Sequence, residues 1–447
     1  MKNEKDNTKR YAPVVAVICT LTVFVSACCA FLIASGIKPD FRESVKENVN
    51  NFLYQEKTDS ASEAPQENLT ARVMLAGNNL IYRSIYTCAS SLGAQSSRAY
   101  DFAPIYENMK SIISEADIAA INQSSVISSN LPVSTYPKFC SPAEAGDALY
   151  DMGFTVINHA NKNVFDKDIQ GAEDALDYWQ TKNALVTGLY RSETDRNAVK
   201  YKDVNGIKIA FIGVTDFVQS EISAQSEINV INLGDKNRSK AEVYNQLKEM
   251  IKTAKETADA VAVYVCFGDS TSNEVSSSQQ QTVDYLVSFG ADLIVGCGIN
   301  TVQKAERIVR DDKSSAVVFY SLGNFLSAEE KKENMLGAVA DVVFEKNGVT
   351  GETIVKSAKA IPVVTYYETG YKNFSILPAE NLSDSDLASH ALNSYYGGFN
   401  LQYVNDTFAE IFTPIADADF AEAPDEESTD IAGEESKLPV PEAEATE

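Results

Sequence analysis

Apolar and polar positions alternate on two different scales along this chain. Between residues 12 and 37 the run APVVAVICTLTVFVSACCAFLIASGI carries no charge. About 20 apolar residues take a helix across a bilayer core, so this run is long enough to span one with some tilt. Lys2, Lys5, Lys9 and Arg10 precede it. The positive-inside rule then keeps the N-terminus in the cytoplasm and sends the main domain outside the cell membrane. A cleaved signal peptide is one competing reading, but its apolar core is usually shorter, and no A-x-A site leads into polar sequence here. Lipid attachment at Cys28 is another, because Val25-Ser26-Ala27-Cys28 resembles a lipobox; against it, residues 29–34 stay apolar. A single uncleaved anchor is the expectation, and all three readings leave the same domain on the outer side.

From residue 71 the scale changes. Short apolar runs at 72–76, 118–121, 155–158, 208–214, 260–265, 293–295 and 316–320 predict strands. Helical patterns at 142–152, 171–183, 239–257 and 278–289 fall between them. Such alternation argues for an α/β domain, in which ligands gather in loops beyond the carboxyl ends of the strands. Runs at 337–344 and 353–362 follow one another without helices, which predicts a second sheet. Residues 384–393 are expected to form a peripheral helix. Residues 38–70 are polar and read as a stalk, with a short helix over 41–54.

Charge refines this division. The chain has 447 residues and a net charge of −25, which argues against nucleic acid as a partner. Twelve acidic side chains lie between residues 416 and 447 against Lys437 alone. Such a segment buries too little apolar surface to offset its ordering entropy, so it reads as a disordered tail, solubilising or partner-binding. The expected organisation is a cytoplasmic N-terminus over 1–11, an anchor over 12–37, a stalk over 38–70, a main domain over 71–365, its extension over 366–415 and the tail over 416–447.

The loops after the predicted strands carry the informative motifs. They are Ala76-Gly77-Asn78, Ala116-Asp117-Ile118 through Asn122-Gln123-Ser124, and Met152-Gly153-Phe154 through His159-Ala160-Asn161-Lys162-Asn163-Val164-Phe165-Asp166. Further along come Val204-Asn205-Gly206-Ile207-Lys208, Val265-Cys266-Phe267-Gly268, Gly290-Ala291-Asp292 through Gly298-Ile299-Asn300, and Tyr320-Ser321-Leu322-Gly323-Asn324-Phe325. In order and spacing this set resembles the CapA family, named for poly-γ-glutamate capsule synthesis and related to calcineurin-like metallophosphoesterases. The resemblance implies a two-sheet α/β/β/α sandwich with a metal site at the strand ends.

The reactive positions depart from that family. Its first-strand Asp is Asn78 here, and the Glu of its "NlE" segment is Ser124. The second Asn and the His of its ANNH motif are Lys162 and Asn163. The His of its His-Trp-Gly motif is Cys266, and the two His of its GxHPH motif are Gly298 and Asn300. Neutral side chains do not supply the charge that two divalent ions require, and Lys162 places a cation where they would sit. The whole chain contains two histidines, His159 and His390. No metal and no cofactor is therefore expected. His159, at a strand end, and Asp166, which matches the Asp after ANNH, are weak catalytic candidates; Asp269 and Glu274 read as solvated loop charge. Ser321 to Phe325 reads as a tight turn whose Asn bonds the backbone. The resemblance also brings the loops of Cys266 and Cys297 together, which makes a disulfide between them a candidate outside the cell.

The expectation is a membrane-anchored, non-catalytic CapA-like protein that binds or scaffolds, its partner a cell-wall or capsular polymer or another envelope protein. The rival is a divergent hydrolase with a non-standard site, either His159 with Asp166 or one metal held by unfamiliar ligands; a third reading is an anchored structural protein whose acidic tail and stalk matter more than the cleft.

Overall fold

The computed structural model describes residues 67–220, 226–268 and 272–412. The anchor, nearly all of the stalk, the acidic tail and Asp269 lie outside the described residues. Among the described residues no helix is long and apolar enough to cross a membrane.

Two mixed sheets organise the domain. The first contains β1 (Leu69–Asn79), β2 (Ile118–Gln123), β5 (Phe154–Asn158), β6 (Leu185–Thr187), β13 (Asn324–Leu326), β14 (Leu336–Lys346), β15 (Thr353–Glu368) and β16 (Lys372–Pro378). Its order is β16-β15-β14-β1-β2-β5-β6, with β13 also pairing with β1. Strands β1, β2, β5 and β6 run parallel, whereas β14 to β16 add antiparallel. The second sheet has the order β11-β12-β10-β9-β8-β7. Its strands are β7 (Tyr201–Val204), β8 (Ile207–Thr215), β9 (Ala260–Cys266), β10 (Leu293–Cys297), β11 (Val302–Val309) and β12 (Ser315–Leu322). A small pair, β3 (Val126–Ile127) and β4 (Cys140–Ser141), stands apart.

Side-chain alternation makes the layers. On β9, Ala262, Tyr264 and Cys266 join the buried cluster shared with the first sheet, while Val261, Val263 and Val265 face a separate cluster. That second cluster is closed by the helices α6 (Lys240–Thr257) and α7 (Ser277–Phe289). A strand buried on both faces reads as an unbroken apolar run, which is why 260–266 is so plain in the sequence. Helix α6 starts at Ser239, whose hydroxyl accepts from Glu242 N while Glu242 reaches back, a capping box. From there Val243, Leu247, Ile251 and Ala254 recur at helical spacing and are buried. Burying each of the larger three contributes on the order of 1.5–3 kcal/mol.

Earlier in the chain come α1 (Arg83–Gln95), α2 (Ala103–Ile113), α3 (Ala143–Met152), α4 (Asp168–Thr181) and the short α5 (Glu193–Asn197). Ile105, Met109, Leu149 and Met152 pack α2 and α3 on the first sheet. At the end of the described chain, α8 (Asp384–Ser389), α9 (Ala391–Tyr395) and α10 (Leu401–Ile411) contribute Leu387, Leu392, Val404 and Phe408 to the same core.

Three expectations need correction. The late strands do not form a sheet of their own: β14 pairs with β1 over Leu69 to Ala76 and so extends the first sheet. Residues 384–393 are not one helix, because His390 is extended (φ −63°, ψ 134°) and buried between two short helices. The segment after Tyr320 is a crossing, not just a turn. Gly323 takes φ 60°, and a Cβ there would meet Leu336 O at 2.7 Å. The chain leaves β12 in one sheet and enters β13 in the other across this residue.

Candidate functional site

A row of amides closes the strand ends of the first sheet. Asn158 ends β5, Asn122 lies on β2, Asn78 on β1 and Asn324 begins β13; the ladder pairs them in register. All four are buried. Asn158 Nδ2 donates to Asn122 Oδ1 at 2.9 Å, and Asn122 Nδ2 donates to Asn78 Oδ1 at 2.9 Å. Asn78 Nδ2 donates to Asn324 Oδ1 at 3.1 Å, and Asn324 Nδ2 to Asn334 O at 3.0 Å. Asn78 also ties the row to the second sheet. Its Nδ2 donates to Ile299 O at 3.0 Å, and its Oδ1 accepts from Gly298 N at 2.8 Å.

Beside this row, Asn78, Ser124, Lys162, Asn163, Cys266, Gly298 and Asn300 line one cavity of about 10 Å³, together with Leu80 and Asn161. All seven positions at which the sequence departs from the family's metal site are thus brought together. The space is about that of one water molecule. Asn161 Nδ2 donates to Gln123 O at 2.9 Å, its Oδ1 accepts from Asn163 N at 3.0 Å, and Asn163 Nδ2 donates to Ser124 O at 3.1 Å. Among the described residues, the Oδ1 atoms of Asn163, Asp166 and Asp216 are buried without a hydrogen-bond partner. Such atoms are the usual seats of ordered water.

The two catalytic candidates are not joined to each other by a hydrogen bond or ion pair among the described residues. His159 follows Asn158, and neighbours along a strand point to opposite faces. Its Nε2 accepts from the Trp179 indole N–H at 2.8 Å on α4, and burial pulls its pKa down to about 4. It lines no part of the cavity. Asp166 Oδ2 accepts from Phe139 N at 2.8 Å. Burial pushes its pKa up to about 6, against that bond and the charges of Lys138, Lys167 and Lys162. Glu274 is exposed.

Residues 72–329, more than half of the chain, match the family described as "Bacterial capsule synthesis protein PGA_cap". The chain belongs to this family. It is 30% identical over 206 residues to "PGA biosynthesis protein CapA" of Bacillus subtilis (strain 168), covering 46% of this chain and 51% of that protein. It is 28% identical over 184 residues to "Capsule biosynthesis protein CapA" of Bacillus anthracis, covering 41% and 42%. The chain therefore spans about half the length of the curated relatives it matches. A solved "novel phosphatase" of Mycoplasma pneumoniae aligns over 66% of this chain and 94% of its own at 14% identity and a TM-score of 0.37. A hypothetical protein from Thermus thermophilus aligns over 65% and 99% at 12% identity and a TM-score of 0.38.

The metal centre that the PGA_cap resemblance implies does not fit the residues present. Two divalent ions need several anionic or imidazole donors facing one another. Among the described residues no three His, Cys, Asp or Glu side chains are grouped to hold a metal ion. The amide oxygen of Asn78 already accepts two N–H groups, and Lys162 adds positive charge to the cavity wall. Three contributors to this region have no role assigned from the sequence: Asn122 (the Asn of the NlE-like segment), Asn158 and Glu329. Glu329 accepts from Tyr82 Oη at 2.7 Å, from Asn300 Nδ2 at 3.2 Å and from Asn334 Nδ2. An Asn at the close of three successive strands is the available signal.

The structure brings the two cysteines of the candidate disulfide together as thiols. Cys266 and Cys297 face each other across β9 and β10 and are free and buried. Burial pushes the Cys297 thiol well up, helped by its hydrogen bond with the Cys266 thiol. Buried thiols kept protonated react slowly. Native protein treated with iodoacetamide at pH 8 should show Cys266 and Cys297 unmodified, and denatured protein should show both alkylated. A cross-linked pair of peptides in the denatured digest would refute the thiol assignment.

Proposed function

We propose that this PGA_cap member is a non-catalytic protein of the cell envelope, held by an N-terminal helix with its domain outside, acting in the assembly or retention of a capsular polymer. One observation carries the non-catalytic reading: the seven positions of the family's metal site hold three amides, a hydroxyl, a lysine, a glycine and a thiol, and line a cavity with room for about one water. The hydrolase reading is weaker, because His159 is spent on Trp179 and shares no bond with Asp166. The charge-free run over residues 12–37 and the basic residues before it support the anchor. The names of the two Bacillus relatives support the capsular setting. A cavity of this size admits no polymer segment, so a polymer or envelope partner would engage the surface around it. The two-sheet layering with outer helices agrees with the phosphoesterase-like sandwich that the motifs imply.

Metal content tests this reading. Full-length protein incubated with Mn²⁺, Mg²⁺ and Zn²⁺, then desalted, should retain well under one equivalent of each by plasma mass spectrometry. One or more equivalents retained would overturn the non-catalytic assignment and call for a phosphoester hydrolysis screen.

A further inference from the structure

A second cavity, of about 530 Å³, opens between α5 and α6, away from the amide row. Its volume lies in the range of small-molecule sites. One wall is a single stripe of α6: Gln246, Glu249, Met250 and Thr253 are spaced i, i+3, i+4, i+7 and so share a face. Facing that stripe are two guanidinium groups, Arg196 and Arg238. The Arg196 side chain is only 13% exposed, and the fork is held in place from two sides. Nη1 donates to Asn229 Oδ1 at 3.2 Å and Nη2 to Glu193 Oε1 at 2.9 Å. Its Nε is buried and has no hydrogen-bond partner. Arg238 donates from Nη1 to Gln246 Oε1 at 2.7 Å, a neutral acceptor that orients the group without neutralising it.

We propose that this cavity is a binding site for a small aliphatic monocarboxylate, gripped by Arg196 and Arg238. Guanidinium groups match the planar geometry of a carboxylate with paired N–H donors. Phosphate shares that chemistry, but Glu193 and Glu249 stand on the same walls and repel a dianion more than a singly charged group. Met250 offers an apolar contact for the aliphatic part. The assignment does not rest on the non-catalytic reading of the amide-lined site.

Calorimetric titration of the full-length protein tests it, with butyrate as probe and inorganic phosphate as comparison. Butyrate should bind in the millimolar range and more tightly than phosphate. Arg238→Gln, at an exposed position where folding is not at stake, should weaken it about ten-fold or more. Arg196→Lys, which keeps the charge and loses the fork, should do the same. No heat with butyrate, equal affinity in Arg238→Gln, or tighter binding of phosphate would each overturn the assignment. So would loss of binding in Lys162→Ala, which would place the ligand at the smaller cavity.

Discussion

Asn78→Asp is expected to destabilise the folded domain by about 3–5 kcal/mol at pH 7, the cost typical of an uncompensated buried charge. The substitution restores the residue of the family motif, and nothing in the sequence warns against it. In the structure, Asn78 is 2% exposed and its Nδ2 donates to Ile299 O and to Asn324 Oδ1. A carboxylate puts an oxygen where that nitrogen stands, within hydrogen-bond distance of two other acceptors. Two acceptors then lose their donor, and a charge is held out of water. The carboxyl pKa would rise, so the penalty should shrink as pH is lowered and the group protonates. Urea unfolding followed by the fluorescence of Trp179, the single Trp of the chain and itself buried, measures the loss. Added Mn²⁺ should not restore stability. A variant as stable as the wild type, or one rescued by metal, would mean that the amide row does not hold the site together.

Acid should weaken the contribution of His390 by a similar amount. Its Nε2–H donates to Thr365 O at 3.1 Å and its Nδ1 accepts from Leu392 N at 3.1 Å, capping α9. Burial pulls its pKa down to about 4, against an ordinary value near 6.5. Between those values the unfolded chain holds a proton that the folded chain does not. Stability contributed by neutral His390 is therefore complete above about pH 6.5 and is lost as pH falls toward 4. The slope is up to about 1.4 kcal/mol per pH unit, or roughly 3 kcal/mol over the window. His159 acts in the same direction. Asp166 acts in the opposite one: with a pKa raised to about 6, it takes up its proton more readily when folded, so it gains stability as pH falls through 6. The comparison of wild type with His390→Gln cancels the other groups. The wild-type advantage in unfolding free energy should narrow by roughly 3 kcal/mol between pH 7 and 4. A difference that stays level with pH would mean that His390 titrates normally.

The parts of this fold that are plain in the sequence are those governed by local rules. Ser239 with Glu242 and Ser276 with Gln279 announce α6 and α7 through capping boxes. The strand over 260–266 shows itself as an apolar run because both faces are covered. Helix α1 is hard to see because RSIYTCASSLGAQ dilutes its apolar positions, and its first residue follows Tyr82, which makes no side-chain cap. Which sheet receives β14 is a matter of distant pairing, and no local pattern encodes it. At the site the motif positions are legible as a set, and the structure gathers them around one cavity. What they do to one another is not legible. Asn78, Asn122 and Asn158 are each unremarkable polar residues at a strand end, and only the register across β1, β2 and β5 makes them partners. The same register explains His159, which sits one position past Asn158 and so turns toward Trp179.

The amide row also has a sense of direction. Every Asn in it gives its NH₂ toward β13 and offers its oxygen toward β5. Backbone groups that cannot rotate hold both ends: Ala160 N donates to Asn158 Oδ1 at 3.2 Å, and Asn334 O receives the last proton. Turning any one amide over would set like against like on both sides, so the four reorient together or not at all. Four freely rotating side chains thereby behave as one polarised wire, its dipoles adding along the sheet, with a sign fixed by main-chain atoms at either terminus.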